Sequence, residues 1–138
     1  MPRNSPEATL QAHITSILRT LGYTVMETGK SRSAVRCPKC GAKHYATGWQ
    51  GNTVGLPDIY IHREGWATGT ALAMELKAPK GAVRAEQQAL ADAGCSVIVR
   101  TFSDALRWVR IVEERHGNES QVKRLDQILN SDWIGELV

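Results

Sequence analysis

A chain of 138 residues with 42% hydrophobic and 22% charged residues has the composition of an ordinary globular protein, which excludes an intrinsically disordered chain. Its length fits one domain and is too short for two domains of ordinary size. The formal net charge of +3 permits a polyanionic partner but does not require one.

The sequence carries no sign of a membrane segment. No apolar run approaches the roughly 18 residues that span a bilayer, and the polar start MPRNSPEAT has no apolar signal core. The three cysteines, two of them in a C-x-x-C pair, favour a reducing compartment over a disulfide framework. We therefore expect a soluble cytoplasmic protein.

The first predicted element is an amphipathic helix over residues 5–21. Its apolar residues recur at helical spacing, Ser5 is the expected N-cap, a proline follows, and Glu7 lies in the first turn. Gly22 ends this helix, and the β-forming residues 23–27 predict a short strand.

An insert with little periodicity follows over residues 29–54. It is rich in Gly, Ser, Lys and Arg, and we predict a loop or small insert there. Strands are predicted at about 58–63 and 71–77, joined by EGWATG as a hairpin connection.

The remainder of the chain predicts a helix, a strand and two further helices. Residues 83–93 have a helical pattern, the β-branched run 96–102 predicts a buried strand, and Ser103 is the expected cap of the next helix. A Gly-Asn pair breaks that helix before a last one over 120–129. The order α, β, β, β, α, β, α, α predicts an α/β domain with a mixed sheet, a right-handed crossover and helices on both faces.

Charged residues interrupt the apolar pattern of the two central strands. Glu75 and Lys77 in ALAMELK share one face, and hairpin pairing predicts that Asp58 lies near Glu75. Two carboxylates repel one another in partial burial unless a cation lies between them, which predicts Mg²⁺ or Mn²⁺ with the Leu76 carbonyl as a further ligand. Such a site suits phosphodiester hydrolysis, with Lys77 holding water or neutralising a phosphate oxygen. The alternative is a solvated strand face with a surface ion pair.

The motifs GLPD, MELKAP, AEQQAL and GCSVIVRTFSDAL follow a helix with an early glutamate. This series resembles the VRR-NUC branch of the PD-(D/E)xK nuclease superfamily over about residues 5–108. The resemblance implies a restriction-endonuclease-like core and Mg²⁺- or Mn²⁺-dependent endonuclease activity, often on branched DNA. Chains of this size are similar to phage-encoded Holliday-junction resolvases that act as homodimers, which implies a homodimer in a bacterial host.

Carried over by motif, the implied catalytic residues are Glu7, Asp58, Glu75, Lys77 and Gln87, of which Asp58, Glu75 and Glu7 are metal ligands. Gln87 matches the glutamine that supports the lysine and the attacking water, and the adjacent Gln88 is the alternative. Glu7 would complete the metal shell directly or through water, and the alternative is a first-turn acid favoured by the helix dipole. The insert and the helical extension over 109–138 depart from the compact family pattern, which makes the junction preference less transferable.

The insert contains CPKCGAKH, whose wording is typical of a zinc knuckle. Cys37, Cys40 and His44 are the candidate ligands, and a disulfide or free thiols are the alternative. The other metal-ligating residues have no diagnostic spacing: Cys95, which we expect in the core, His13, His62 and His116. Five basic residues of the insert are candidate DNA contacts, with an ordinary solvated loop as the alternative: Lys30, Arg32, Arg36, Lys39 and Lys43.

Two tryptophans in predicted loops, Trp49 and Trp66, would either stack on unpaired bases or cover the edge of the core. Trp133 and Ile134 in the tail would dock on the same chain or on a second subunit. The sequence thus predicts one nuclease domain over 1–138 that cleaves branched DNA such as Holliday junctions or flaps. The alternative is a nucleic-acid-binding module on the same fold, without turnover.

Overall fold

The computed structural model describes residues 5–29, 34–36, 39–40, 43–45 and 55–131. In chain order the elements are α1 (Pro6–Thr20), β1 (Thr24–Glu27), β2 (Ala34–Arg36), β3 (Lys43–Tyr45), β4 (Ile59–His62), β5 (Leu72–Leu76), α2 (Ala85–Asp92), β6 (Val97–Val99), α3 (Phe102–Arg115) and α4 (Glu119–Leu129). Within these ranges, no helix is long and apolar enough to cross a membrane.

The main sheet has four strands in the order β1-β4-β5-β6. The β1–β4 and β4–β5 pairs are antiparallel, whereas β5 and β6 are parallel and α2 connects them. The mixed α/β architecture predicted from the sequence is confirmed at this level.

The insert contains a second, two-stranded antiparallel sheet formed by β2 and β3. Of the two predicted possibilities, a loop or a small insert, the two strands are a feature that the sequence did not predict. Each of these strands has only three residues, which is too short for an alternating pattern to be recognised in a sequence.

Helix α1 begins as its sequence predicts. Ser5 Oγ accepts a hydrogen bond of 3.1 Å from Ala8 N, and Pro6 occupies the first helical turn, where its missing N–H leaves no bond unmade. Ile14 and Leu18 of this helix are fully buried against the sheet.

The main core lies on the face of the sheet that packs against α1 and α3. Alternation along β5 places Met74 and Leu76 in this core and directs Ala73 and Glu75 to the opposite face. The core cluster also includes Ile59, Ile61, Val99, Leu106, Val109 and, from α4, Leu125. The part of the C-terminal extension that the structure describes thus shares the core of the domain.

Two local predictions near β6 were wrong. Thr101 caps α3, since its side chain accepts a hydrogen bond of 3.1 Å from Asp104 N, and Ser103 lies inside the helix. Both residues are capping types, and the earlier one takes the role because β6 already ends at Val99. Cys95 is exposed in the turn after α2, not buried in β6, which begins at Val97.

Candidate active site

The register of β4 and β5 determines where the first candidate carboxylate lies. Ile59 pairs with Met74, so the next position outward places Asp58 opposite Glu75. Asp58 N donates a hydrogen bond of 3.0 Å to Met74 O, and Leu76 N donates one of 2.8 Å to Asp58 Oδ2. The Asp58 carboxylate is therefore attached to the strand that carries Glu75.

The other side of Asp58 is held by Thr28, which follows β1. Thr28 N donates a hydrogen bond of 3.0 Å to Asp58 O, and the Thr28 hydroxyl donates to Pro57 O at 2.5 Å. The sequence did not indicate a role for Thr28, since a threonine after a short strand is explained by β propensity alone. The Pro-Asp peptide is thus fixed from both neighbouring strands.

Glu75 and Lys77 form a buried ion pair. Glu75 is 2% exposed and Lys77 is 6% exposed, and Lys77 Nζ lies 3.7 Å from Glu75 Oε1. Lys77 N donates a hydrogen bond of 2.9 Å to Val99 O, which continues the pairing of β5 with β6. The alternative of a solvated strand face is wrong, because charges buried to this extent need specific partners.

Gln87 lies in the first turn of α2 and contacts Glu75. Its Oε1 accepts a hydrogen bond of 3.0 Å from Arg84 N, which directs its amide nitrogen toward Glu75 Oε1 at 2.6 Å. Gln88 is exposed and bonds Asp92 Oδ1 instead. Of the two adjacent glutamines, Gln87 is the one at this site, and its amide binds the glutamate.

Glu7 lies half-buried at the same end of the sheet. A Cβ added to Gly81, in the loop after β5, would lie 3.1 Å from Glu7 Oε1, so the carboxylate lies against this loop. Arg100 fixes the loop by donating hydrogen bonds of 2.8 Å to Ala78 O and 2.9 Å to Gly81 O. Arg100 is a second supporting residue for which the sequence carried no signal.

The arrangement provides oxygen ligands of the kind that a hard divalent cation takes. Asp58 Oδ1 accepts no hydrogen bond from the residues described, and alternation along β5 directs the Leu76 carbonyl to the side of the strand where Asp58 lies. Mg²⁺ is typically bound by one or two carboxylates and keeps several waters, so Asp58, Glu75 and the Leu76 carbonyl fit it. No group of three or more His, Cys, Asp or Glu side chains in the described ranges is placed to hold a metal.

The residues predicted in the insert are described only in part. Lys39 and Cys40 are exposed in a turn, and Cys40 is a free thiol. Arg36 pairs with Lys43, and Val35 with His44, in the β2–β3 register. Lys30, Arg32, Cys37, Trp49, Trp133 and Ile134 lie outside the described residues, so the zinc, DNA-contact and tail-docking predictions stay predictions.

Trp66 belongs to a buried polar cluster at the opposite end of β4 from Asp58. It is 5% exposed, its Nε1 donates a hydrogen bond to Glu113 Oε1, and its ring stacks on His116 at 5.6 Å between centroids. Arg63 and Tyr23 also bind the Glu113 carboxylate. Of its two predicted roles, Trp66 therefore covers the core and is not accessible to a base.

Comparisons of the chain with models of protein families, with curated proteins and with solved structures found no match.

Proposed function

We propose that this chain is a Mg²⁺- or Mn²⁺-dependent endonuclease that hydrolyses phosphodiester bonds in branched DNA such as Holliday junctions or flaps. The observation that carries the proposal is the Asp58 carboxylate bonded to Leu76 N, directly beside the buried Glu75–Lys77 pair. The order of GLPD, ELK and AEQ along the chain, which resembles the VRR-NUC branch, supports the same assignment.

Each residue of the site has a distinct role in this proposal. Asp58 and Glu75, with the Leu76 carbonyl, hold the divalent cation, which would supply a Lewis acid for the scissile phosphate. Leu76 N orients Asp58, and Gln87 holds Glu75 in one rotamer. Glu7 acts from the first turn of α1 through water.

Lys77 contributes the positive charge next to the scissile group. Its amine is buried beside Glu75, so little solvent screens its attraction for an anionic phosphate. An ammonium group carries three donors, which suit a non-bridging phosphate oxygen and a neighbouring water. Lys77 thus stabilises the charge that develops on the phosphate as the bond breaks.

Basic residues around the site provide contacts for the DNA backbone. Lys80 and Arg84 are exposed in the segment between Lys77 and Gln87. In the insert, Lys39 is exposed at a turn and is a further proposed contact. Binding through such contacts weakens as salt increases, because phosphate neutralisation releases counterions.

The proposed enzyme is a homodimer in the bacterial cytoplasm. A four-way junction has two strands to cut, and a two-fold symmetric dimer presents one site to each.

Stoichiometric zinc in protein that was never exposed to nickel resin would support the metal knuckle at Cys37, Cys40 and His44. Its absence would favour free thiols.

The decisive experiment incubates the protein with a labelled four-way junction, a flap and a linear duplex, each with Mg²⁺, Mn²⁺ or EDTA. We expect products from the branched substrates with either metal and none in EDTA. Binding without products in any metal would favour the non-catalytic binding module instead. Cleavage of all three substrates at one rate would contradict the preference for branched DNA.

A further inference from the structure

Gly55, the first residue of GLPD, packs against the first turn of α2. A Cβ added to it would lie 2.8 Å from Glu86 Cβ, 2.9 Å from the Glu86 carbonyl carbon and 3.1 Å from Gln87 N. Real Cβ atoms do not approach other atoms as closely as the two shorter distances, and one of those two atoms belongs to the backbone, which cannot rotate away. The contact therefore requires the absence of a side chain at this position.

The backbone conformation of Gly55 is a separate requirement, and the chain offers a comparison for it. Gly55 has φ of +84°, and Gly69 has a nearly equal φ of +82°. A Cβ on Gly69 would have no atom within 4 Å. Substitution of either glycine imposes the same backbone strain, but only a side chain at position 55 would also clash with a neighbouring helix.

The contact joins the two halves of the candidate site. Gly55 lies three positions before Asp58, and the turn that it touches carries Gln87, which binds Glu75. Neither the loop at Gly55 nor α2 belongs to the hydrogen-bonded ladder of the sheet. Their contact is thus a second connection between the two carboxylates, in addition to the pairing of β4 with β5.

We propose that Gly55 is a positioning residue, which sets the Asp58 loop at a fixed distance from the first turn of α2 and thereby aligns Asp58 with Glu75. Its role in catalysis rests on the proposed nuclease function. The geometric part stands by itself, because it concerns hydrogen bonds that form without metal or DNA. A side chain at residue 55 pushes the loop and the helix apart. It thereby displaces both Asp58 and the Gln87 side chain that holds Glu75.

The test compares Gly55→Ala with Gly69→Ala by amide NMR of the free protein. The Leu76 amide reports its bond to Asp58 Oδ2, the Arg84 amide reports its bond to Gln87 Oε1, and the Gln87 side-chain amide reports its bond to Glu75. We expect all three resonances to shift in Gly55→Ala and to stay at wild-type positions in Gly69→Ala. Unchanged resonances in Gly55→Ala, or equal shifts in both variants, would overturn the proposal.

A compensating variant keeps the test valid if Gly55→Ala alone does not fold. Gly55→Ala combined with Glu86→Gly removes the nearest atom, so we expect a folded protein whose three reporter resonances lie between the wild-type and displaced positions. Glu86→Ala alone keeps its Cβ and should leave them unchanged. A double variant as displaced as the single one would show that the contact with Glu86 Cβ is not the cause, and equal losses of stability in Gly55→Ala and Gly69→Ala would show that the approach to the α2 backbone is not the cause either.

Kinetics separate this proposal from the proposed function. We expect Gly55→Ala to lower kcat on a four-way junction by roughly 10- to 100-fold, since misplacement of reacting groups by about 1 Å costs up to that much. Cleavage is measured at saturating DNA, so that a change in DNA affinity does not contribute, because Arg84, a proposed contact for the DNA backbone, caps the same turn of α2. A wild-type protein that cleaves nothing would refute the nuclease, while the NMR comparison would still decide the positioning role.

Discussion

Gln87 Nε2 donates a hydrogen bond of 2.6 Å to Glu75 Oε1 while Gln87 Oε1 accepts one of 3.0 Å from Arg84 N. One side chain thus completes the N-terminus of α2 and orients a buried carboxylate on β5. The glutamine amide both donates and accepts, whereas an ionised carboxylate cannot donate and an aliphatic group can do neither.

Gln87→Glu should weaken both the fold and the site. The new carboxylate still accepts from Arg84 N, but it faces Glu75 with a second negative charge where the amide donated. We expect a loss of about 2 kcal/mol in the free energy of unfolding, as for a buried polar group that loses its partner, together with slower cleavage. Urea denaturation at neutral pH measures the first effect.

Gln88→Glu is the matched control, since the Gln88 side chain is exposed and its amide donates to Asp92 Oδ1 on the same helix. We expect the free energy of unfolding to change by less than about 1 kcal/mol, as for other exposed positions near a like charge. Equal losses in the two variants would contradict the role given to Gln87.

Asp58→Asn and Glu75→Gln should abolish cleavage while preserving the shape of the site. The amide oxygen introduced by Asp58→Asn can still accept from Leu76 N, and the one introduced by Glu75→Gln can still accept from Gln87 Nε2, so each change removes charge and keeps the hydrogen bond. Glu75→Gln also leaves the buried Lys77 without its counter-charge, so we expect it to lower the free energy of unfolding by about 3 kcal/mol, and its cleavage is measured on protein shown to be folded. Loss of a metal ligand costs several kcal/mol of transition-state stabilisation, and about 4 kcal/mol corresponds to roughly a thousandfold in rate. Single-turnover cleavage of a labelled junction measures this loss of rate.

The control for both charge variants is DNA binding in EDTA, which should change less than about twofold, since exposed cations supply those contacts. Metal-dependent cleavage at the wild-type rate in both variants would refute the assignment of the site.

Glu113→Gln should destabilise the fold without affecting the proposed catalysis. Glu113 is fully buried, lies 2.8 Å from Arg63 Nη2 and accepts hydrogen bonds from Trp66, Tyr23 and Asn118. Removing one charge of a buried pair costs about 3–5 kcal/mol, and both the partial exposure of Arg63 and the retained amide oxygen should keep the loss near the lower end. The urea midpoint measures this loss.

Glu114→Gln is its control, because Glu114 pairs with Arg110 on the surface, where such a pair contributes less than about 1 kcal/mol. An equal loss in both variants would show that the buried cluster contributes no more than a surface pair. A loss of cleavage in folded Glu113→Gln would show that the two ends of the sheet are not independent.

Alkaline pH should destabilise the wild type more than Tyr23→Phe. Burial raises the pKa of the Tyr23 phenol above its ordinary value of about 10, the Glu113 carboxylate raises the pKa further, and the hydrogen bond from Gln121 opposes both. Above about pH 10 the unfolded chain loses this proton while the folded chain keeps it. The stabilisation is therefore complete below about pH 10 and is lost as the pH rises toward the pKa of the folded state.

Urea midpoints between about pH 8 and pH 11 measure this effect as a slope. The slope matters because Tyr23→Phe also loses the hydrogen bond to Glu113, which lowers its stability at every pH. Parallel slopes in the two proteins would contradict the shift of the Tyr23 pKa.

The sequence by itself determined the local structure of this protein. The cap at Ser5, the glycines that end helices and the alternation in ALAMELK depend on neighbours along the chain, so the prediction of α1, β4, β5 and a mixed α/β fold succeeded. Alternation alone also put Glu75 and Lys77 on one face, and hairpin pairing placed Asp58 opposite Glu75.

Only the tertiary structure decided what surrounds those charges. The choice of Gln87 over Gln88, the burial of Trp66 and the close approach of Gly55 to α2 all depend on how α2 and α3 lie against the sheet. Such contacts join residues far apart in the chain and leave no periodic signal in it, because periodicity assigns a residue to a face but does not identify its partner across the fold.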